Sequence, residues 1–168
     1  MKKLILFIAI LSTNIAFAQE SNNNKQLWAS SILNQKAPEL VVEKWLTAKP
    51  KTEGKFVLID FWATWCGPCI RYIPTLNSFH EKFSDKLAII GLSDEPAEDV
   101  EAFKIHKIQY AEAIDTKATL KNTLKVTGVP HIILINPKGI VIWEGFPSLE
   151  DHKLTEEVLK ALLEKYKS

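Results

Sequence analysis

Cysteine and methionine are scarce in this chain, whose 168 residues include two cysteines and one methionine. Two cysteines and four scattered histidines do not form the four-ligand pattern of a closed structural zinc site. The cysteines, Cys66 and Cys69, are only three positions apart. A bridge between them would close a tiny loop and make a poor structural staple. A metal site and a purely structural disulfide are therefore both disfavoured.

Net charge is also small, because 21 Lys and Arg residues balance 20 Asp and Glu residues to leave a formal charge of +1. This balance gives no electrostatic basis for binding nucleic acid. The chain has no internal repeat and no long low-complexity segment. With 46% hydrophobic residues, it can bury the core of one globular domain.

Long apolar runs are missing except at the start, where Met1-Lys2-Lys3 precedes the apolar stretch 4–11 and then Ala16-Phe17-Ala18. This is the pattern of a secretory signal peptide, cleaved after Ala18. We therefore predict a periplasmic or cell-envelope protein, with an uncleaved N-terminal inner-membrane anchor as the alternative. The predicted organisation is a signal peptide (1–18), a polar spacer (19–33) and one domain (34–168).

Strand and helix patterns alternate along the predicted domain. The apolar run 56–62, interrupted only by Asp60, predicts a buried strand, and apolar residues at helical spacing predict a helix over 66–83. Further strands are predicted at 37–46, 87–92, 110–114, 132–135 and 140–144, and further helices from 93 to about 107, at 118–124 and at 149–166. The first βαβ unit favours parallel pairing.

The two cysteines lie at the junction between the 56–62 strand and the helix that follows it. A helix N-terminus favours a thiolate, which is the attacking species in thiol–disulfide exchange. Cys66 is therefore the predicted nucleophile, and Cys69, one turn further along, the resolving thiol. A Cys-x-x-Cys pair in this position indicates a redox centre.

The sequence Trp65-Cys66-Gly67-Pro68-Cys69, with Asp60 in the preceding strand, resembles the active site of thioredoxin. The layout from 34 to 166 resembles exported thioredoxin-like proteins of the TlpA/ResA type. The resemblance implies an α/β, thioredoxin-like fold: a central mixed sheet flanked by helices, with a βα insertion and an N-terminal extension.

The position of Asp60 matches the buried aspartate of thioredoxin, which implies a general base for the Cys69 thiol. Burial of a lone carboxylate should raise its pKa. The alternative is an acid at a strand end paired with a nearby lysine.

The segment Thr127-Gly128-Val129-Pro130 resembles the cis-proline loop of these proteins, which implies that the Val129 backbone docks an extended substrate. Trp65 beside an exposed cysteine suits substrate contact. Gly67 and Pro68 resemble the pair found in reducing thioredoxins.

Three further polar residues are open to two interpretations. His131 is either a strand residue facing away from the site or an additional titrating group near it. Asp94 and Glu95 are either solvated residues at a helix N-cap or counterparts of the carboxylate that shapes specificity in ResA-like proteins.

The predicted function is reduction of protein disulfides in the cell envelope, with cytochrome c maturation as one setting. The expected partners are disulfide-bearing proteins and a membrane electron donor, with no nucleic acid, no cofactor beyond the Cys66–Cys69 disulfide, and a monomeric state. The alternatives are a disulfide oxidase or isomerase and a redox-inactive binding module. The Pro-x-x-x-Thr-x-x-Cys pattern of peroxiredoxins is absent.

Overall fold

The structure, a computed structural model, describes residues 27–167. The predicted signal peptide and residues 19–26 of the predicted spacer lie outside the described residues. The strands are β1 (Lys44–Trp45), β2 (Phe56–Phe61), β3 (Leu87–Ser93), β4 (Ala111–Ile114), β5 (His131–Ile135) and β6 (Val141–Gly145). The helices are α1 (Gly67–Phe83), α2 (Ala97–Ala102), α3 (Thr119–Thr123) and α4 (Glu156–Lys165), with a 3-10 turn at Glu150–His152.

The strands form one six-stranded sheet in the order β1-β4-β3-β2-β5-β6. β2, β3 and β4 run parallel, whereas β1 pairs antiparallel with β4, and β5 pairs antiparallel with both β2 and β6. The two central strands, β2 and β3, are buried along almost their whole length, as expected for strands covered on both faces. The predicted mixed sheet flanked by helices, with an inserted strand β4, is confirmed.

Alternation along the strands sends side chains to two cores. One face packs against α1 and α4, so that Leu58 of β2 joins Leu76 of α1 and Leu159 of α4. The other face carries Phe61 and Ile133 and packs against α3 and the segment before β1. A third cluster, at the carboxyl end of β2, contains both cysteines.

The segment 27–37, here called the N-terminal strap, lies along the second face. The Trp28 carbonyl accepts from the Thr127 amide at 2.7 Å, and the Ser30 amide donates to the Leu124 carbonyl at 2.8 Å. Buried Glu144 accepts from the Ile32 amide at 2.8 Å. Residues 27–33, assigned to a spacer from the sequence, therefore lie against the domain.

Two predicted helix boundaries are wrong. α2 ends at Ala102 instead of about 107, because Phe103 turns to an extended conformation toward β4. The side chain of Asn77 in α1 donates to the Lys107 carbonyl and accepts from the Gln109 amide, both at 2.9 Å. These bonds fix the non-helical segment between α2 and β4. α4 begins at Glu156, not at 149, where the Thr155 side chain caps it.

The predicted strand at 37–46 shortens to the two residues of β1. Its partner β4 is only four residues long, which limits the ladder that β1 can join. Among residues 27–167, no helix combines the length and the apolar character required to cross a membrane.

Candidate active site

Cys66 and Cys69 lie at the junction between β2 and α1. After β2, Trp62 and Ala63 are buried, and the Cys66 amide closes a turn on the Ala63 carbonyl at 3.0 Å. Cys66 is the N-cap of α1, with an extended backbone, and Pro68 lies in the first turn. Proline is well suited there because that amide has no partner within the helix. The predicted start of this helix is confirmed.

Cys66 and Cys69 are joined as a disulfide, with their Cα atoms 5.2 Å apart. The Cys69 amide donates to the Cys66 Sγ at 3.2 Å. This donor and the aligned peptides of α1 would stabilise negative charge on Cys66 once the bridge is reduced. The geometry thus distinguishes Cys66 from Cys69 as the sulfur better able to carry a thiolate.

Exposure does not make the same distinction. Cys66 is 3% exposed and Cys69 2%, so the expectation of an exposed Cys66 is wrong for the disulfide form. Cys66 is buried because apolar neighbours cover it: Ala63, Ile73 and partly buried Val129 pack in the same cluster as both cysteines.

The residues predicted to contact substrate surround this cluster. Trp65 is 72% exposed, beside two buried cysteines. Gly67 and Pro68 are half-buried. The Val129–Pro130 peptide is cis, as the resemblance implied, and Val129 packs against the disulfide cluster. Trp65, the Gly67-Pro68 turn and Val129 are therefore brought together around one disulfide.

Asp60 lies on the α1 face of β2 and is 2% exposed. Burial raises its pKa from 3.8 to about 7. One carboxylate oxygen, Oδ1, has no hydrogen-bond partner, and none of the ion pairs found between residues 27 and 167 involves Asp60. The structure thus offers no lysine partner to the carboxylate, and a group with a pKa near neutrality can accept and return a proton.

Glu95 holds the loop that precedes Cys66. Its carboxylate accepts from the Thr64 amide at 2.7 Å and from the Thr64 hydroxyl at 2.6 Å, while the Ser93 hydroxyl donates to it at 3.0 Å. Asp94 forms an ion pair with Lys121 at 2.8 Å. Helix α2 has no side-chain cap, so the N-cap interpretation of Asp94 and Glu95 is wrong.

The sequence contains only an indirect signal for the role of Glu95. β2 and β3 are parallel, so the residues that follow them meet at one edge of the sheet. That rule predicts proximity of the two loops, but it does not identify Thr64 as the partner.

His131 lies on the face opposite Asp60, with its ring centroid 5.9 Å from that of Phe61. Burial lowers the pKa of His131 to about 4, and a hydrogen bond with the Leu27 backbone partly offsets the effect. This placement fits the interpretation of a strand residue facing away from the site. Among residues 27–167, no group of three or more Cys, His, Asp or Glu side chains is placed to hold a metal ion.

A family model described as thioredoxin-like matches residues 54–141, which is just over half of the chain. A thiol-disulfide oxidoreductase named ResA, from Bacillus thuringiensis subsp. konkukian, is 34% identical over 113 residues, which are 66% of this chain and 65% of the relative. A sporulation thiol-disulfide oxidoreductase A from Bacillus subtilis is 31% identical over 93 residues, or 52% of this chain and 56% of the relative. The matches thus span between about half and two thirds of these curated relatives.

Solved structures agree with the fold. The thioredoxin domain of a thiol-disulfide oxidoreductase from Bacteroides vulgatus superposes with a TM-score of 0.65 at 25% identity, covering 83% of this chain and all of that one. StoA from Bacillus subtilis superposes with a TM-score of 0.59 at 24% identity, covering 74% and 96%, and supports the fold alone. The resemblance identified from the Cys66–Cys69 motif is confirmed, and the chain belongs to the thioredoxin-like family.

Proposed function

We propose that this protein is an exported thiol–disulfide oxidoreductase that reduces protein disulfides in the cell envelope. The observation that carries the proposal is the Cys66 sulfur at the N-cap of α1, where it accepts from the Cys69 amide. A structural disulfide needs no such donor, whereas a nucleophilic thiolate is stabilised by it.

The reaction follows from this arrangement. The Cys66 thiolate attacks one sulfur of the substrate disulfide, forming a mixed disulfide and releasing the other sulfur as a thiolate. Cys69 then gives its proton to Asp60 and attacks the Cys66 sulfur, which releases the second substrate sulfur and forms the Cys66–Cys69 bridge. Two electrons pass from the dithiol to the substrate, and the released thiolates take up protons.

The residues between the cysteines favour the reducing direction. Strong oxidants need a stabilised reduced form, and Pro68 supplies no hydrogen-bond donor to the Cys66 thiolate. Exposed Trp65 and the Val129 backbone would bind an extended segment of the substrate protein.

The setting is proposed from the sequence signal and the relatives together. An N-terminal signal ending at Ala18 would deliver the domain to the periplasm, or leave it anchored outside the inner membrane. There a membrane electron donor would return the Cys66–Cys69 bridge to the dithiol, with no further cofactor and the protein acting as a monomer. Cytochrome c maturation, the setting suggested with the predicted function, is one pathway to test.

Equilibration with glutathione buffers tests the direction. We expect a reduction potential near that of thioredoxin, about −270 mV, for the Cys66–Cys69 couple. A potential above about −150 mV would favour an oxidase or isomerase instead. The Cys66→Ser variant, which cannot form the bridge, is the control for the redox signal.

Trapping tests the activity and identifies the substrates. In Cys69→Ser the resolving step is blocked, so envelope proteins should accumulate as mixed disulfides on Cys66 that reductant releases. The matched Cys66→Ser variant should trap none. If Cys66→Ser instead keeps the full cellular role, the domain is a redox-inactive binding module.

A further inference from the structure

Three neighbouring strands place Gly91, a residue without a side chain, beside Asp60. In the parallel register Asp60 of β2 pairs with Gly91 of β3, which pairs with Glu112 of β4, so the three share one face. A Cβ at Gly91 would lie 3.1 Å from the Tyr110 ring edge and 3.2 Å from the Trp62 Nε1. The phenol of Tyr110 and the indole of Trp62 therefore pack closely on Gly91, on the face of the sheet that carries the Asp60 side chain.

The polar atoms of these side chains have no protein partner. Asp60 Oδ1, Trp62 Nε1 and Tyr110 Oη are all buried and unbonded, and each residue is 2% exposed. Leaving one such atom unsatisfied costs about 1–3 kcal/mol, so native proteins pair nearly all of them. Two donors and one acceptor on the same face of the sheet, around Gly91, form a complementary set.

We propose that Tyr110 and Trp62 are positioning residues for Asp60: they hold an internal water between their polar atoms and the Asp60 carboxylate, and through it stabilise that carboxylate whenever it has lost its proton. Buried waters typically make about three hydrogen bonds to polar groups of this kind. No covalent bond changes at this site; the proton that Asp60 exchanges is the one that leaves Cys69. The catalytic part of the inference rests on the proposed role of Asp60 as base.

Neutral donors matter here because, among residues 27–167, no lysine, arginine or histidine forms an ion pair with Asp60. From α1, Tyr72 approaches, but its hydroxyl is already used, donating to the Leu154 carbonyl at 2.6 Å. Burial, and secondarily the Asp60 charge, raise the pKa of Tyr110 well above its usual value, so its hydroxyl remains a donor. Glu112 is half-buried at the far side of Gly91, and burial raises its pKa against the opposing effect of Lys104.

The test compares two tyrosines. Tyr110→Phe removes the donor over Gly91, and Tyr72→Phe removes one engaged elsewhere. In the reduced full-length protein, Asp60 should bind its proton about tenfold more tightly in Tyr110→Phe, since a hydrogen bond to a charged group is lost. Tyr72→Phe should leave the titration unchanged. Carboxyl-carbon NMR reports the titration, and the pH profile of mixed-disulfide resolution should shift upward with it.

The readouts separate this inference from the role of Asp60. A shifted NMR titration with an unshifted kinetic profile supports the donors and removes Asp60 as base. Equal titrations in wild type and Tyr110→Phe, or equal shifts in both variants, overturn the inference. A crystal structure of the wild-type protein adds a check that needs no variant: water bonded to Asp60 and Tyr110 supports the site, and a dry apolar contact overturns it.

Discussion

The expected difference in reactivity between Cys66 and Cys69 depends on hydrogen bonding, because the two residues are almost equally buried in the disulfide form. We expect iodoacetamide to label Cys66 of the reduced protein at least about tenfold faster than Cys69 near pH 6.5, since a lowered pKa enlarges the thiolate fraction. Mass spectrometry after brief labelling measures both rates. In concentrated guanidinium chloride the two rates should converge, and equal rates in the native protein would contradict the assigned roles.

The residues that the sequence predicts best are those whose meaning is local. Cys66, Cys69 and Asp60 lie within ten positions of one another, and a strand followed by a helix is enough to place them. Tyr110 is not among the residues predicted for the site, and the sequence leaves the role of Glu95 open between two interpretations, because the partners of both residues are thirty or more positions away. Only the register of β2, β3 and β4 brings those partners together.

At the scale of elements, the loop between β2 and α1 is fixed by the one that follows β3. Glu95→Ala would leave the partly buried Thr64 amide without its acceptor and should lower the free energy of unfolding by about 1–3 kcal/mol. Denaturant titration measures the change, and hydrogen exchange at the Thr64 amide should accelerate.

A matched variant tests whether the backbone bond matters most. Thr64→Val removes only the hydroxyl bond to Glu95 and keeps the amide donor. It should therefore cost less than Glu95→Ala. If both variants cost the same, the contribution of the amide bond is negligible.

Element order was predictable from the sequence, whereas several element lengths were not. The spacing of apolar residues predicts β2, β3 and α1 because those apolar side chains themselves form the core. The connection after α2 is held by Asn77 on another helix, and α4 starts at the Thr155 cap. Contacts between distant parts of the chain set such boundaries, and they leave no local periodicity.

For the whole molecule, two buried groups give opposing pH dependences. Burial raises the pKa of Asp60 to about 7, so between about pH 4 and 7 the folded protein holds a proton that the unfolded chain has released. Stability from this group falls as pH rises through that range. Burial lowers the pKa of His131 to about 4, so the unfolded chain binds the extra proton there, and stability falls as pH drops from about 6.5 to 4.

Asp60→Asn should therefore remove the largest opposing contribution and leave the His131 dependence dominant. Its free energy of unfolding should rise steadily from about pH 4 to 6.5, and at pH 8 it should exceed that of the wild type by about 2–4 kcal/mol. Thermal or denaturant unfolding across this range measures it. Asp85→Asn, at an exposed acid, is the control and should keep the wild-type profile. If Asp60→Asn keeps the wild-type dependence of stability on pH, the prediction that Asp60 has a raised pKa in the folded protein is wrong.

The N-terminal strap depends on Glu144, whose carboxylate accepts from the Ser31 hydroxyl and the Ile32 amide. Glu144→Ala leaves both donors unpaired and should reduce the free energy of unfolding by about 1–3 kcal/mol. Glu144→Gln, which retains one acceptor oxygen, should lose less. Limited proteolysis should cut residues 27–37 earlier in Glu144→Ala, and equal cleavage in the two variants would argue against the anchor.

The strap also has a consequence for the order in which the chain can fold. Ile32 and its acceptor Glu144 are 112 positions apart. Chains are synthesised from the N-terminus, so the strap emerges long before β6, the strand that carries its anchor. β2, α1 and β3 can close over shorter separations. The strap is therefore among the last parts to dock, and until then the backbone donors and acceptors it will share with β6 remain open to solvent.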